Sequence, residues 1–424
     1  MKSYRKCSKH YGFAGVAVLL IGVTAHAAPS APSDNDVVVV SERVAQGERV
    51  DREVGYRAGS FTIIPAISGG VLFSDNVYAT QTGEESDVAL TLAPTISLNS
   101  NWNNHQLDIK VKGALQRYVD NSSENTEDYG ISADGRIDIQ RDSYVYGSLG
   151  YEQLHEQRTS VNDVGGFDPN EYNRLHAVLG VNHTGGRMRY DLSQAIENLS
   201  FDNNRNALGV VDNSLRDRDR YTTTAKISYE IKPNYSAFVS VAYDRVNYDR
   251  NAGLDRDSDG LEVNVGTDIA VTGKVKAGAF VGLVSRDYEN TALDDINSFN
   301  MGADVVWNVT GKTSLIGSII RDVRETIEIN SAGYIDTEYS VKAEHELRSN
   351  VVLSGEVAVR QLDFDGGIGA QRDDEVYTLT LGGKYYLSRD ATIDASYGYS
   401  TRDSSVIGQD YDVNQLIVQC VVVF

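Results

Sequence analysis

The chain closes with Leu416-Ile417-Val418-Gln419-Cys420-Val421-Val422-Val423-Phe424, an apolar stretch that ends on an aromatic residue. Side chains alternate along a strand with a period of two, so residues 416, 418, 420, 422 and 424 share one face. Such a strand at an open sheet edge invites aggregation. A closed barrel instead pairs this edge with its first strand and turns the apolar face to lipid. The stretch therefore predicts a membrane β-barrel.

Both ends of the chain predict export. A basic start, an apolar run over 12–23 and Ala25-His26-Ala27 form a secretory signal peptide over residues 1–27. The apolar run is too short to span a bilayer as a helix. Residues 28–58 show neither strand nor helix period and predict a flexible periplasmic segment, followed by the barrel over 59–424. Phe424 at the C-terminus resembles the membrane-insertion signal of Gram-negative outer-membrane proteins, which predicts the outer membrane as location.

The composition favours strands and excludes a nucleic-acid partner. The chain has 25 Tyr, 10 Phe, 38 Gly and 6 Pro, and its formal net charge of −21 opposes binding to phosphate backbones. We expect outer-membrane lipid, lipopolysaccharide and the barrel-assembly machinery as partners, and no cofactor.

From residue 59 onward, strand-length segments alternate with short turns and longer polar loops. The short turns contain Gly, Asn, Asp or Pro, as at 141–142, 185–186 and 233–234. Eight turns and nine loops predict an all-β fold, an antiparallel transmembrane barrel of about 18 strands (16–18). Aromatic residues near strand ends predict two girdles at the lipid interfaces, with Trp102 and Trp307 toward the turns and Tyr172, Tyr243 and Tyr288 toward the loops. A soluble sandwich would need a larger apolar core than these strands supply.

The lumen is where function is expected, because a barrel of this size encloses an aqueous channel. Alternation places charges of both signs on the inner face. These charged side chains either select solutes by charge or pair with one another and stiffen the barrel. Loop 202–217 is the best candidate to fold inward. The predicted lumen-lining residues are Lys110, Lys112, Arg136, Lys226, Lys276, Lys342, Arg360, Glu262, Glu338, Glu344 and Glu356.

Two short motifs resemble a metal site and a catalytic pair. Asp255, Asp257 and Asp259 begin like a calcium loop, but the twelfth position is Gly266 instead of Glu, so only a weak calcium site is predicted and a solvated acidic loop is favoured. His155, followed by Thr159-Ser160, is the nearest approach to a nucleophile–base pair. No His-x-Ser motif occurs, and no enzyme activity is expected.

Short blocks of the barrel carry a family resemblance. Residues 57–65, Ser74-Asp75-Asn76-Val77-Tyr78-Ala79-Thr80 and Asn170-Glu171-Tyr172-Asn173-Arg174 resemble the putative β-barrel porin 2 family. The resemblance implies an outer-membrane, porin-like channel serving passage or export of exopolysaccharide, with polysaccharide-export proteins as partners and no assigned catalytic residues. Two alternatives stay open. One is a general or substrate-specific uptake porin, and the other is a structural or adhesion barrel with an occluded lumen.

Overall fold

The structure is a computed structural model that describes residues 55–424 apart from 251–254, 273, 329–330 and 366–371. The predicted signal peptide and residues 28–54 of the predicted periplasmic segment lie outside the described residues. In the described part of the chain, no helix is long and apolar enough to cross a membrane.

Eighteen antiparallel strands of the described chain form one closed barrel, each paired with its neighbours in sequence. The last strand pairs with the first, from Ala66 opposite Val423 to Ser74 opposite Gln415, and this pairing removes both sheet edges. The predicted barrel class and strand number are confirmed. The barrel strands are β2 Phe61–Ser74, β3 Asp87–Ser100, β4 His105–Tyr118, β5 Thr126–Gln140, β6 Ser143–His155, β7 Glu171–Gly185, β8 Met188–Phe201, β11 Arg218–Lys232, β12 Tyr235–Tyr248, β13 Ser258–Thr272, β14 Val275–Tyr288, β15 Ile296–Asn308, β16 Thr313–Glu325, β17 Gly333–Arg348, β18 Val351–Asp365, β19 Asp373–Tyr386, β20 Ala391–Ser404 and β21 Tyr411–Val423.

Short elements complete the described chain. Strand β1 (Tyr56–Ala58) folds back on the start of β2, so the predicted boundary between residues 58 and 59 falls inside a small hairpin. Strands β9 (Asn204–Asn206) and β10 (Gly209–Val211) form a separate hairpin in the loop after β8. Two 3-10 turns cover Ser122–Glu124 and Asn213–Arg216.

Local chemistry explains the tight turns. Asp142 and Asn234 have φ angles of 62° and 65°, in the left-handed region that Asn and Asp tolerate better than most residues. Each directly precedes the strand that returns from its hairpin. The turns therefore come from residue types that the two-residue connections require.

The outer face is an apolar band. Leu283 is 70 % exposed and Leu179 65 % exposed, values that a water-soluble strand face does not show across a whole sheet. The terminal strand follows the predicted alternation, since Leu416, Val418 and Phe424 are all exposed. The backbone N–H of Phe424 donates to the carbonyl of Pro65 at 2.9 Å, which fixes the last residue to the seam. Its role in membrane insertion stays a prediction.

The girdle prediction needs one correction. Trp102, Trp307 and Tyr243 are exposed on the outer face, whereas Tyr172 and Tyr288 are buried. Tyr172 stacks on Phe201 with ring centroids 5.2 Å apart, and Tyr288 belongs to an apolar cluster with Leu293 and Ile296. Proximity to a strand end is not sufficient for a girdle position, because the face of the strand decides which side the ring takes.

Candidate functional site

The inner wall carries the predicted lumen residues. The structure places all eleven on the face opposite to the exposed apolar side chains of their strands. Lys110, for example, alternates with the outward Val111, and Glu262 alternates with the outward Leu261 and Val263. Whether these side chains contact a passing solute stays a prediction.

Many of these charges are neutralised within the wall. Lys112 Nζ lies 2.5 Å from Glu152, and Lys342 Nζ lies 2.9 Å from Glu344. The group also includes Arg136 (2.7 Å from Asp138) and Arg360 (2.6 Å from Asp336 and 3.7 Å from Glu338). Glu262 differs, because in the described chain it accepts only from two neutral asparagines. The Arg360–Asp336 pair joins the neighbouring strands β18 and β17, whereas the Lys342–Glu344 and Arg136–Asp138 pairs each lie within one strand.

A second group is free of ionic partners. Lys226 Nζ lies 3.9 Å from the centroid of the Phe238 ring, a cation–π contact that orients the ammonium without neutralising it. Within the described chain, no oppositely charged side chain lies within 4 Å of Lys110, Lys226, Lys276 or Glu356. These are the predicted lumen residues best able to act on a solute.

A cavity of about 1090 Å³ occupies the turn end of the lumen along β6–β8 and β11–β16. It is lined by Lys226 and Lys276, together with Arg189, Asp191 and Asp304. Two of its four acidic residues are hydrogen-bonded, since Asp191 accepts from Tyr146 at 2.8 Å and Asp304 accepts from Ser318 at 2.7 Å; the other two are Glu230 and Asp268. We call this space the vestibule.

The loop over residues 156–170, here called the crossing loop, spans the lumen at the opposite end of the barrel. It leaves β6 and returns to β7, yet Val161 is buried in a cluster with Tyr334, Leu362, Phe364 and Val376. Those residues belong to β17, β18 and β19, which lie about half a turn around the barrel from β6. The loop therefore reaches the opposite wall.

Polar contacts accompany this apolar anchor. Arg402 Nη1 on β20 donates to the carbonyl of Ser160 at 3.5 Å, and the N–H of Ile327 donates to Asn162 Oδ1 at 3.3 Å. Hydrogen bonds of this kind contribute about 1 kcal/mol each. Burying the Val161 side chain contributes about 2 kcal/mol, so the apolar contact is the larger single contribution to docking.

The base of the crossing loop is held by ion pairs. Arg158 donates to both carboxylate oxygens of Glu124, at 2.9 and 2.6 Å. Arg216 pairs with Glu156 and lies 3.9 Å from the Phe201 ring centroid. These bidentate contacts fix where the loop leaves the wall.

The expectation that loop 202–217 folds inward is wrong. Its hairpin tip is exposed, with Leu208 97 % exposed and Val210 67 % exposed. Its buried residues, Asn204 and Asn213, instead bond to Asn170 Oδ1 at the foot of the crossing loop. Loop 202–217 therefore contacts the foot of the crossing loop and does not itself fold into the lumen.

The predicted calcium loop assembles with a different third residue. Asp255 and Asp257 lie with Glu289, their ligand oxygens within 4.8 Å of one another. Asp259 is not in this group, because it is the second residue of β13, lies on the outer face and accepts from Tyr243 Oη at 2.6 Å. His155 Nδ1 lies 2.8 Å from Asp128, and its Nε2 lies 2.9 Å from Gln157. Within the described chain His155 and Ser160 share no hydrogen bond, and Ser160 Oγ instead accepts from the N–H of Asn162 at 3.1 Å.

One titrating group is built into the crossing loop. Burial raises the pKa of Asp163 to about 6; Arg158 opposes the shift, and Glu156 and Glu124 reinforce it. Arg402 faces Asp163 from the opposite wall. The carboxyl has its ordinary, lower pKa when the loop is undocked, so protonation favours the docked loop, and this advantage is lost as the pH rises through about 6. The resulting penalty at neutral pH is roughly 3 kcal/mol.

We therefore expect the barrel to conduct less at about pH 5 than at about pH 7.5, because the protonated loop docks more tightly. Single-channel recordings at both pH values measure this, and Asp163→Asn should hold the conductance at the low-pH level throughout. A wild-type conductance that does not change with pH, or the same change in the variant, would contradict it.

Comparisons with known proteins give one family and a set of solved structures. The family described as putative beta-barrel porin 2 matches residues 52–424. No curated protein is significantly similar to the chain. Similar solved structures include the outer membrane protein OpdK from Pseudomonas aeruginosa, with 11 % identity, a TM-score of 0.46 and coverage of 85 % of this chain and 99 % of that one.

Two further structures from Pseudomonas aeruginosa show the same level of similarity. OccK3 (OpdO) has 13 % identity, a TM-score of 0.47 and coverage of 86 % of this chain and 96 % of that one. A mutant of the ferric enterobactin receptor PfeA has 8 % identity, a TM-score of 0.47 and coverage of 87 % and 81 %. Similarities at this level say nothing of the solute.

Proposed function

Because this chain belongs to the putative β-barrel porin 2 family and is a porin-like channel of the Gram-negative outer membrane, we propose that it is an uptake porin for small polar solutes. The single observation that carries the proposal is the crossing loop, docked on the opposite wall through Val161. A loop in this position narrows the lumen and limits the size of what passes.

The same observation disfavours exopolysaccharide passage. A polysaccharide would have to displace Val161 and Ser160 from β17–β20 for as long as it occupies the lumen. A small solute needs only the space beside the loop. The exopolysaccharide role and the polysaccharide-export partners followed from the family resemblance alone, and we do not retain them. Lipid, lipopolysaccharide and assembly-machinery partners stay predictions.

The vestibule supports selection by polarity. In the described chain its cations Lys226 and Lys276 have no carboxylate within 4 Å, whereas two of its acids, Asp191 and Asp304, are partly satisfied by hydroxyl and amide donors. A polar or anionic group entering from the loop side therefore meets available cations, and side-chain charge of this kind sets solute preference in channels. Glu356, which faces the lumen farther round the wall, adds one acidic group without an ionic partner.

Liposome swelling tests the proposal directly. We expect vesicles that contain the refolded barrel to swell in glucose and not in a dextran far larger than the lumen, because the docked crossing loop admits only small solutes. Barrel-free vesicles are the control. Dextran entry would support polymer passage. Failure to swell in glucose, together with absent single-channel conductance, would favour the occluded structural barrel.

A further inference from the structure

A small group of oxygen atoms on the inner wall lacks hydrogen-bond donors. Asn264 on β13 and Asn300 on β15 are 2 % and 3 % exposed. The side-chain Nδ2 of each donates to the same carboxylate oxygen of Glu262, with the Asn300 bond at 2.5 Å. The amide orientations follow from this, because a carboxylate accepts and does not donate. Both Oδ1 atoms are then buried without any partner in the described chain.

Gly282 explains how the two amides come together. It stands on β14 between Asn264 and Asn300, directly opposite each in the strand registers. Asn264 Oδ1, Asn300 Oδ1 and the backbone carbonyl oxygen of Val263 all lie within 2.6 Å of the position that a Cβ would take at Gly282. Any larger residue would fill the point on which these three oxygens converge. We call this arrangement the Gly282 cradle.

The charges nearby are unbalanced toward the negative. Asp322 and Asp244 both act electrostatically on Glu262. Arg220 and Arg286 lie in the same network, where Arg286 pairs with Asp244 at 2.7 Å and with Glu325 at 3.5 Å. In the described chain Glu262 itself has no cationic side chain within 4 Å, and the two aspartates add to its negative charge. Buried excess charge is costly unless a counter-charge is present.

We propose that Asn264, Asn300 and the backbone carbonyl of Val263 bind one small hard cation, Na⁺ or Ca²⁺, at the Gly282 cradle, with Glu262 holding the two amides in position. The ligand set is oxygen only, with side-chain amide and peptide carbonyl groups, which suits these ions and not the transition metals that prefer nitrogen or sulfur. Mg²⁺ fits less well, because it holds its own waters and demands near-octahedral geometry. The cation supplies the partner that the two Oδ1 atoms lack and offsets the excess of carboxylates.

Calorimetric titration of the chelator-treated, full-length barrel in detergent tests this, with CaCl₂ and NaCl as probes and choline chloride as the bulky monovalent control. We expect saturable binding of Ca²⁺ or Na⁺ and none of choline. Asn300→Leu keeps the side-chain shape and removes the oxygen, so it should weaken binding by about tenfold or more. Ser298→Ala, on the same face of β15, is the matched control and should leave the affinity unchanged. Glu262→Gln provides a second variant if Asn300→Leu fails to fold.

The outcomes separate this site from the acidic loop of Asp255, Asp257 and Glu289. Glu289→Gln should leave the titration unchanged. Binding that disappears in Glu289→Gln and persists in Asn300→Leu would place the cation in the loop and overturn the proposal. Absence of saturable binding for either ion would also overturn it, since water would then satisfy the two amide oxygens. Neither result depends on whether the barrel conducts, so the porin proposal is tested separately.

Discussion

Val161→Asp should raise the single-channel conductance by about twofold or more, because a barrel of this size is wide enough for an aqueous channel once the crossing loop leaves it. Val161 is 7 % exposed and packs against Tyr334, Leu362, Phe364 and Val376. Burying a carboxylate among these four apolar side chains costs several kcal/mol, in addition to the roughly 2 kcal/mol lost with the valine. The remaining hydrogen bonds from Arg402 and Ile327, at about 1 kcal/mol each, do not offset that loss.

The control is Val210→Asp, which adds the same charge to an exposed residue of the neighbouring hairpin. Its conductance should match that of the wild type, since Val210 contacts no part of the docking surface. Val161→Ala should give an intermediate result, because it removes apolar area without adding charge. Planar-bilayer recordings of all four proteins measure the effect. Equal conductance for Val161→Asp and the wild type would mean that the crossing loop does not limit the passage of ions.

The barrel could be predicted from the sequence because its determinants are local. Period-two alternation, as in Leu261, Val263 and Val265, assigns each residue to a wall face without knowledge of its neighbours. Turn residues such as Asp142 and Asn234 mark where strands reverse, and the number of reversals gives the number of strands. The same alternation places Lys110 and Glu262 on the inner face.

The crossing loop could not be predicted because its contacts are distant in sequence. Val161 meets Leu362 and Val376 only after the barrel closes, and a single valine in a polar loop gives no signal of burial. Pairing is equally non-local. Asn300 reaches Glu262 over Gly282, so the cradle combines residues of three strands. The Gly content predicts close approaches in general but not which side chains make them.

Asp336→Asn should lower the free energy of unfolding by about 3–5 kcal/mol, because it removes the shared counter-charge of two arginines. Asp336 is 2 % exposed and accepts from Arg360 at 2.6 and 3.2 Å, while Arg324 Nε lies 3.0 Å away. An asparagine keeps the shape but removes the buried carboxylate that the two guanidiniums share. Urea unfolding of the lipid-reconstituted barrel, followed by the fluorescence of Trp102 and Trp307, measures the change.

Glu338→Gln is the matched control, two residues further along the same face of β17. Glu338 also lies near Arg360, at 3.7 Å, but its side chain is 39 % exposed, so its loss should cost less than about 1 kcal/mol. The contrast isolates burial as the cause, because both changes remove one carboxylate beside the same arginine. Equal costs for the two variants would contradict this account.

Tyr334 and Leu362, which receive Val161, flank this ion pair on β17 and β18. Asp336→Asn should therefore also raise the conductance, which would show that the buried ion pair supports the docking surface of the crossing loop.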